Sequence, residues 1–428
     1  MYKELNDGNH RSLLDYVILV FFMLIIYSNV TIIGPYKIIM FPVLLLLLVI
    51  HTLLHNKIVY INYIDKLWYL VFSYLVFLLP FSYDLKESMI FISYFVIIIL
   101  IMSLLKSKKH VQQELMKIFY VVALLYSIIT LSTFFYRDLI IKYFSFLFDN
   151  DRIFMIKKEI SRGAFSGLAG EVSYNMFTIS MGLGVVISNI IVKKKLSIFN
   201  IILIIIMSTS LLLTQKRSVI VVLFLILILM IRALKNDKKT IKKIRKLIFM
   251  LILIGIILVI IEPEIVKVFN RFFVDGELYL SQRDILWNYA IQMFYNKPLF
   301  GYGINTYNIY CNDRGYFIGA RHAHNIYLQL LAETGIVGFA IFMTAFFVSL
   351  IETVKTIRNT IKLPDNLTLK VAAVFSLYVQ LFFLLYGIVG LPLYNFTQLL
   401  VYLTAVSIGQ YVKMEISFER GSLQSEIV

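Results

Sequence analysis

The chain has 428 residues, of which 60% are apolar and only 15% are Asp, Glu, Lys or Arg. An ordinary soluble domain carries about 25% charged residues, so a soluble globular protein is excluded, and 35 Phe with 28 Tyr exclude a disordered one. The net charge of +16 would point to nucleic acid in a soluble chain, but in a membrane chain it points first to the bias of basic residues toward the cytoplasmic side.

Mean hydropathy is +0.83. A bilayer core takes about 20 apolar residues per helix. Twelve runs approach that length, near 14–33, 36–54, 64–82, 88–105, 115–135, 172–192, 197–214, 218–234, 247–261, 335–354, 371–391 and 393–412. Runs this long are helices, because a spanning segment must satisfy its own backbone. Gly34-Pro35 divides the first pair, and Gly390-Leu391-Pro392 divides the last. The first run is too long for a cleavable signal peptide, and further spans follow it.

The connecting segments sort by charge. Those at 1–13, 55–66, 106–114, 193–196, 235–246, 355–370 and 413–428, with the adjoining helix ends, hold 25 basic and 11 acidic residues, a net of +14. The remainder holds 16 and 14, a net of +2. The basic set reads as cytoplasmic, with both termini inside. The expectation is an all-α integral membrane protein, one polytopic domain over 1–428 with about 12 transmembrane helices. Two outer segments exceed ordinary turns, at 136–171 and 262–334. Both are aromatic-rich and mixed in charge, and segments this long are usually functional when ordered.

In the first, Arg162 and Glu171 flank Gly163, Gly167 and Gly170. This reads as a turn with a surface ion pair, or as part of a substrate groove. Next comes the outer turn Thr214-Gln215-Lys216-Arg217-Ser218. Its two adjacent cations break the charge asymmetry. They either snorkel to lipid headgroups or clamp a phosphate or pyrophosphate.

The second outer segment opens a helix at Ser281-Gln282-Arg283-Asp284, where Ser281 with Asp284 resembles a capping box. Leu286, Ala290 and Met293 share one face, with Trp287 and Phe294 beside them. Asn296-Lys297-Pro298 ends the helix, and Gly301-Tyr302-Gly303 turns the chain. The helix reads as amphipathic on the membrane surface. Arg283, however, opposes the dipole of its own first turn. A guanidinium at a helix N-terminus makes an anion site.

The segment Arg321-His322-Ala323-His324-Asn325 reads as a polar loop in which Asn325 caps the next helix, with a zinc site as the sharper alternative. No metal is expected. The only cysteine is Cys311, and the HExxH spacing of zinc sites is missing. The basic loops hold no GxxxxGK[ST] and no GxGxxG, so a nucleotide-driven enzyme on the inner side is not expected either.

The blocks Arg283-Asp-Ile-Leu-Trp287, Lys297-Pro298-Leu-Phe-Gly301-Tyr-Gly303, His324-Asn325-Ile-Tyr-Leu328 and Glu333-Thr-Gly335-Ile-Val-Gly338 resemble the signature of the O-antigen ligase/polymerase superfamily. That superfamily holds lipopolysaccharide O-antigen ligases and Wzy-type repeat-unit polymerases. The resemblance is specific over about 60 residues, extends loosely to Gln215-Lys216-Arg217, and is poor over the first 160.

It implies a GT-C-like, metal-independent, inverting glycosyltransferase at the outer face of a bacterial plasma membrane. Such an enzyme takes an undecaprenyl-diphosphate-linked oligosaccharide donor and acceptor, without cofactor or nucleic acid. By the resemblance, His324 is the catalytic base, and Arg217 and Arg283 bind the diphosphate. Lys216 stands where family members often carry a small polar residue, and His322 is a second candidate base. Asn325, Arg162 and Glu171 are supporting candidates.

The physics agrees with these roles. Guanidiniums stabilise the charge that develops on a departing diphosphate, and a histidine of ordinary pKa, about 6.5, suits deprotonation of a sugar hydroxyl. The expected activity is polymerisation of repeat units into capsule or O-antigen, which a chain-length regulator would suit. A ligase, transferring the polymer to lipid A core, differs by its acceptor. A lipid-linked saccharide flippase is the rival from another class. Few helix interruptions and a large outer segment speak against it.

Overall fold

A computed structural model describes residues 12–27, 31–54, 61–193, 197–234, 238–261, 283–316, 322–361 and 366–425, with two short strands between. Among the described residues the protein is all-α apart from those strands, Phe273–Val274 and Glu277–Leu278, which pair antiparallel.

A helix covers each of the twelve apolar runs. They begin with α1 (Leu13–Tyr27), α2 (Lys37–Leu54), α3 (Tyr63–Leu78), α4 (Leu85–Leu105) and α5 (Lys109–Phe135). The segment 136–171 contributes α6 (Leu139–Tyr143) and α7 (Asn150–Ser161). Next come α8 (Val172–Val192), α9 (Ile198–Leu213), α10 (Arg217–Ala233) and α11 (Lys238–Ile261). After α12 (Arg283–Asn296) and α13 (Tyr307–Asp313), the chain ends in α14 (Ile326–Ile361), α15 (Leu367–Tyr386) and α16 (Phe396–Ser425).

Among the described residues, seven helical segments are long and apolar enough to cross a membrane, and α1 and α9 are apolar but shorter. Large apolar side chains such as Leu53, Leu54, Ile38 and Phe249 stand exposed on their helices. Water would oppose that, and lipid does not.

Local chemistry sets the helix ends. Asn62 and Asp65 form a reciprocal capping box at α3, and Asp84 caps α4 through the Glu87 N–H. Gly34-Pro35 forms a 3-10 turn before α2.

The centre of the bundle is α8 and α15, both almost wholly buried. They touch each other, and α8 also packs on α5. Small residues permit the approach: Gly182 faces Ala123, and Gly184 lies on the Tyr378 ring.

The run expected at 335–354 begins earlier. Helix α14 starts at Ile326 and bends at Gly335, whose φ of 65° is left-handed. Residues 326–334, the start of the helix that Asn325 caps, fall outside the apolar run because Gln329, Glu333 and Thr334 face protein, not lipid. Ser281, the expected cap of α12, lies outside the described residues. Helix α12 itself packs on α14. Its predicted face of Leu286, Ala290 and Met293 is buried with Tyr307 and Tyr310, so that face packs on protein instead of on the membrane surface.

Candidate functional site

The site is built on the bend in α14. A bend frees backbone groups that must find partners. The Ile336 N–H donates to the Pro298 carbonyl at 2.8 Å, and the Gly303 N–H donates to the Glu333 carbonyl at 2.8 Å. The 298–303 strip thus repairs the broken helix. The approach needs glycine on both sides. A Cβ on Gly301 would strike the Glu333 backbone, and one on Gly335 would strike Leu299. Two of the sequence blocks are therefore a structural clamp. It also meets the α3–α4 turn, where the Tyr83 N–H donates to the Tyr302 carbonyl at 2.6 Å.

Glu333 is wholly buried. Its carboxylate accepts from the backbone N–H of Asn305 (2.7 Å) and Tyr307 (3.0 Å), from Gln329 Nε2 (3.0 Å) and from the Tyr394 hydroxyl (2.8 Å). Four donors satisfy a carboxylate taken out of water. The same Gln329 Nε2 stands 3.3 Å from Nδ1 of His322, and its Oε1 accepts from the Ala323 N–H at 3.2 Å. Glu333 thus holds the amide that holds His322. Asn325 caps α14 as its sequence position predicts, accepting from Tyr327 and Leu328 N–H at 2.9 and 3.1 Å.

His324, between them, has a left-handed backbone, with φ of 51°. It is exposed at the surface of the outer segment, with protein packed close around it. Burial, then the charges of Arg283, His322 and Lys216, push its pKa down to about 4. That corrects the expectation of an ordinary histidine, since three neighbours disfavour a further positive charge. Burial also lowers His322.

Lys216 precedes α10 after Gln215, whose φ is 53°. The Gln215 side chain straps this turn to the first outer segment, donating to the Gly163 carbonyl at 2.8 Å. Burial holds the Lys216 ammonium below its usual range, opposed by Glu171 and Glu159 and reinforced by Arg283. Neither α10 nor α8 has a side-chain N-cap, so each leaves first-turn N–H groups for other acceptors.

The structure brings together Lys216, Arg283, His322, His324 and Glu171. It does not bring in Arg162, which is exposed at the end of α7. Glu171 pairs with Arg152 instead, at 3.7 Å. Arg217 opens α10 half-buried, and the charges of Arg283 and Lys216 reach His324.

Sequence reasoning missed several residues. Glu159 has a buried Oε2 without a hydrogen-bond partner among the described residues. Burial, and then Glu171, raise its pKa to about 7. Trp287, one turn beyond Arg283, carries a buried indole N–H likewise unpartnered there. Glu87 lies on α4 and Tyr394 in the turn before α16, both far away in sequence, and no local signal marks them. A cavity of about 330 Å³ opens beside His322.

Comparison with known proteins gives one family. Residues 202–343, about a third of the chain, match the family model described as O-antigen ligase. The match begins in α9, takes in the Lys216-Arg217 turn and the outer segment, and ends within α14. It agrees with the blocks read from the sequence. No curated protein matches the chain.

Proposed function

Because residues 202–343 match the family model described as O-antigen ligase, which supports a glycosyltransferase type of membrane enzyme of the ligase/polymerase superfamily, we propose that this protein is a repeat-unit polymerase. It joins undecaprenyl-diphosphate-linked oligosaccharides into a surface polysaccharide, capsule or O-antigen, at the outer face of the plasma membrane. The observation that supports this reading is the convergence of Arg283 and Lys216 on His324.

The chemistry follows from that group. An acceptor hydroxyl attacks the anomeric carbon of the donor sugar from the face opposite the diphosphate. The C–O bond to the diphosphate breaks, and the configuration inverts. His324, neutral at pH 7, takes the hydroxyl proton as the new bond forms. Arg283, Lys216 and Arg217 stabilise the leaving diphosphate, aided by the N-termini of α10 and α12. The Trp287 N–H is a further donor for it. The site is partly closed from water, which strengthens each of these interactions.

Incubating the purified protein with defined lipid-linked repeat units tests the reading. A ladder of longer lipid-linked chains is expected. Product only when lipid A core is added identifies a ligase. Movement of the lipid across vesicles without chemistry identifies a flippase.

A further inference from the structure

We infer that the cavity beside His322 is a pyranose subsite that takes a neutral or amino sugar and rejects a uronic acid, with Glu87 as the discriminating residue. The cavity, of about 330 Å³, is lined by Glu87, Asn305, Asn308, His322, Tyr394 and Phe396 among others. Ligand pockets start near that size, and a few placed polar groups among apolar ones fix a ligand's orientation.

Asn305, Glu87, Tyr394 and Phe396 are held before a ligand arrives. Asn305 has a left-handed backbone with φ of 65°. Its N–H is held by Glu333 at 2.7 Å, and its Nδ2 donates to Glu87 Oε2 at 2.9 Å. Tyr394 is anchored by its hydroxyl to Glu333. Phe396 is stacked on Tyr94 with ring centroids 4.2 Å apart. Rigid aromatic faces beside amide and carboxylate groups suit the apolar face and hydroxyl edge of a pyranose ring.

The charge decides the class. Glu87 supplies a carboxylate, and among the described residues no Lys or Arg lines the cavity. His322 is neutral, since burial lowers it. A sugar carboxylate placed here would meet a like charge without compensation, which is costly away from water. A hydroxyl or an ammonium would find an acceptor. Lys216 and Arg283 act on His324, two residues along, so the cation-rich recess and this cavity adjoin across the His322–His324 loop. The cavity is placed to hold the sugar of an incoming acceptor, and this part of the inference rests on the proposed glycosyl transfer. The charge selection does not.

The test is saturation-transfer NMR on the purified full chain in detergent, with the methyl glycosides of glucose, glucosamine and glucuronic acid as probes. The first two are expected to bind and the glucuronide is not. Glu87→Gln is expected to weaken the glucosaminide about 10-fold and to admit the glucuronide. Ile309→Trp, which fills the cavity, is expected to abolish all binding while the gel-filtration profile is kept. Equal binding of the glucuronide to the parent protein, or no probe binding at all, overturns the inference. So does unchanged binding in the Ile309→Trp variant. Binding with this selectivity in a protein that transfers no sugar refutes the polymerase and leaves the subsite standing.

Discussion

Gln329 donates its side-chain amide to Nδ1 of His322, and the direction of that bond is fixed from the other end of the amide. The Ala323 N–H occupies Gln329 Oε1, and Glu333 takes a proton of Nε2. The group facing His322 at 3.3 Å is therefore N–H, and Nδ1 accepts. A neutral imidazole that accepts at Nδ1 carries its proton on Nε2. His322 thus offers a donor and no free base, which leaves the base role to His324. We expect His324→Ala to lose 100- to 10,000-fold in rate, the usual worth of a general base, with normal membrane levels. His322→Asn, which keeps an N–H donor, should lose far less. Assaying chain extension in both variants checks this, and equal losses would reverse the assignment.

The depressed pKa of His324 carries a pH signature. A base works when unprotonated, so a pKa lowered to about 4 extends activity downward. The kcat/KM of the free enzyme should stay level from pH 7 to about 5.5 and fall only toward 4. A histidine of ordinary pKa would already fail near 6.5. Once an anionic diphosphate neutralises Arg283 and Lys216, the repulsion that lowers His324 weakens, so the acid limb of kcat should lie at higher pH than that of kcat/KM. Coincident limbs would mean that the cations do not bind the donor's diphosphate.

Glu159 titrates in the opposite sense. Burial, and then Glu171, raise its carboxyl to about 7, so it is protonated below that pH and charged above it. The charged form attracts Lys216 and competes with the diphosphate. Donor KM should therefore rise as pH passes 7, and Glu159→Gln should flatten that rise while leaving kcat nearly unchanged. KM measured across pH 6 to 8.5 checks it.

The cations differ in geometry. Arg283 presents a planar fork, Lys216 a point charge. Arg283→Ala should cost about 100- to 1,000-fold in kcat, with Arg283→Lys recovering part of it. Lys216→Ala should cost as much as Arg217→Ala, because the Lys216 charge reaches His324. Full activity of Lys216→Ala would return the clamp to Arg217 and Arg283 alone.

Much of the bundle was legible because a lipid-spanning helix announces itself by length. The clamp was half legible. Gly301, Gly303 and Gly335 stand out in sequence, but their partnership spans more than 30 residues and forms only because α14 bends. The Lys216-Arg217 pair shows why the site was harder to read. The two cations are adjacent in sequence, and the left-handed turn at Gln215 that precedes them leaves no mark in the residue pattern. Glu87 and Asn305 meet across 218 positions, and Glu159 reaches Lys216 through the strap from Gln215 to Gly163. Such pairings arise from helix packing and leave no periodic mark. The expected partner of Glu171 failed for a similar reason. Arg162 is nearer in sequence, but α7 turns it to solvent and turns Arg152 inward.

One buried pair lies away from the site. Lys106, at the end of α4, is bonded to Asp65 in the first turn of α3, and both side chains are almost wholly buried. Asp65 also accepts from Ser103 at 3.2 Å and closes the capping box with the Asn62 N–H at 2.7 Å. A charge pair out of water costs much to assemble, so its removal as a pair is cheap and its division is not. Lys106→Met leaves the Asp65 carboxylate buried and unpaired, at about 3–5 kcal/mol. The double variant Asp65→Asn with Lys106→Met keeps an acceptor for the cap and removes both charges. It should recover most of the stability lost by Lys106→Met alone. Thermal unfolding of the three proteins in detergent gives the comparison. A double variant no more stable than Lys106→Met would show that the loss came from packing of the lysine stem and not from the stranded charge.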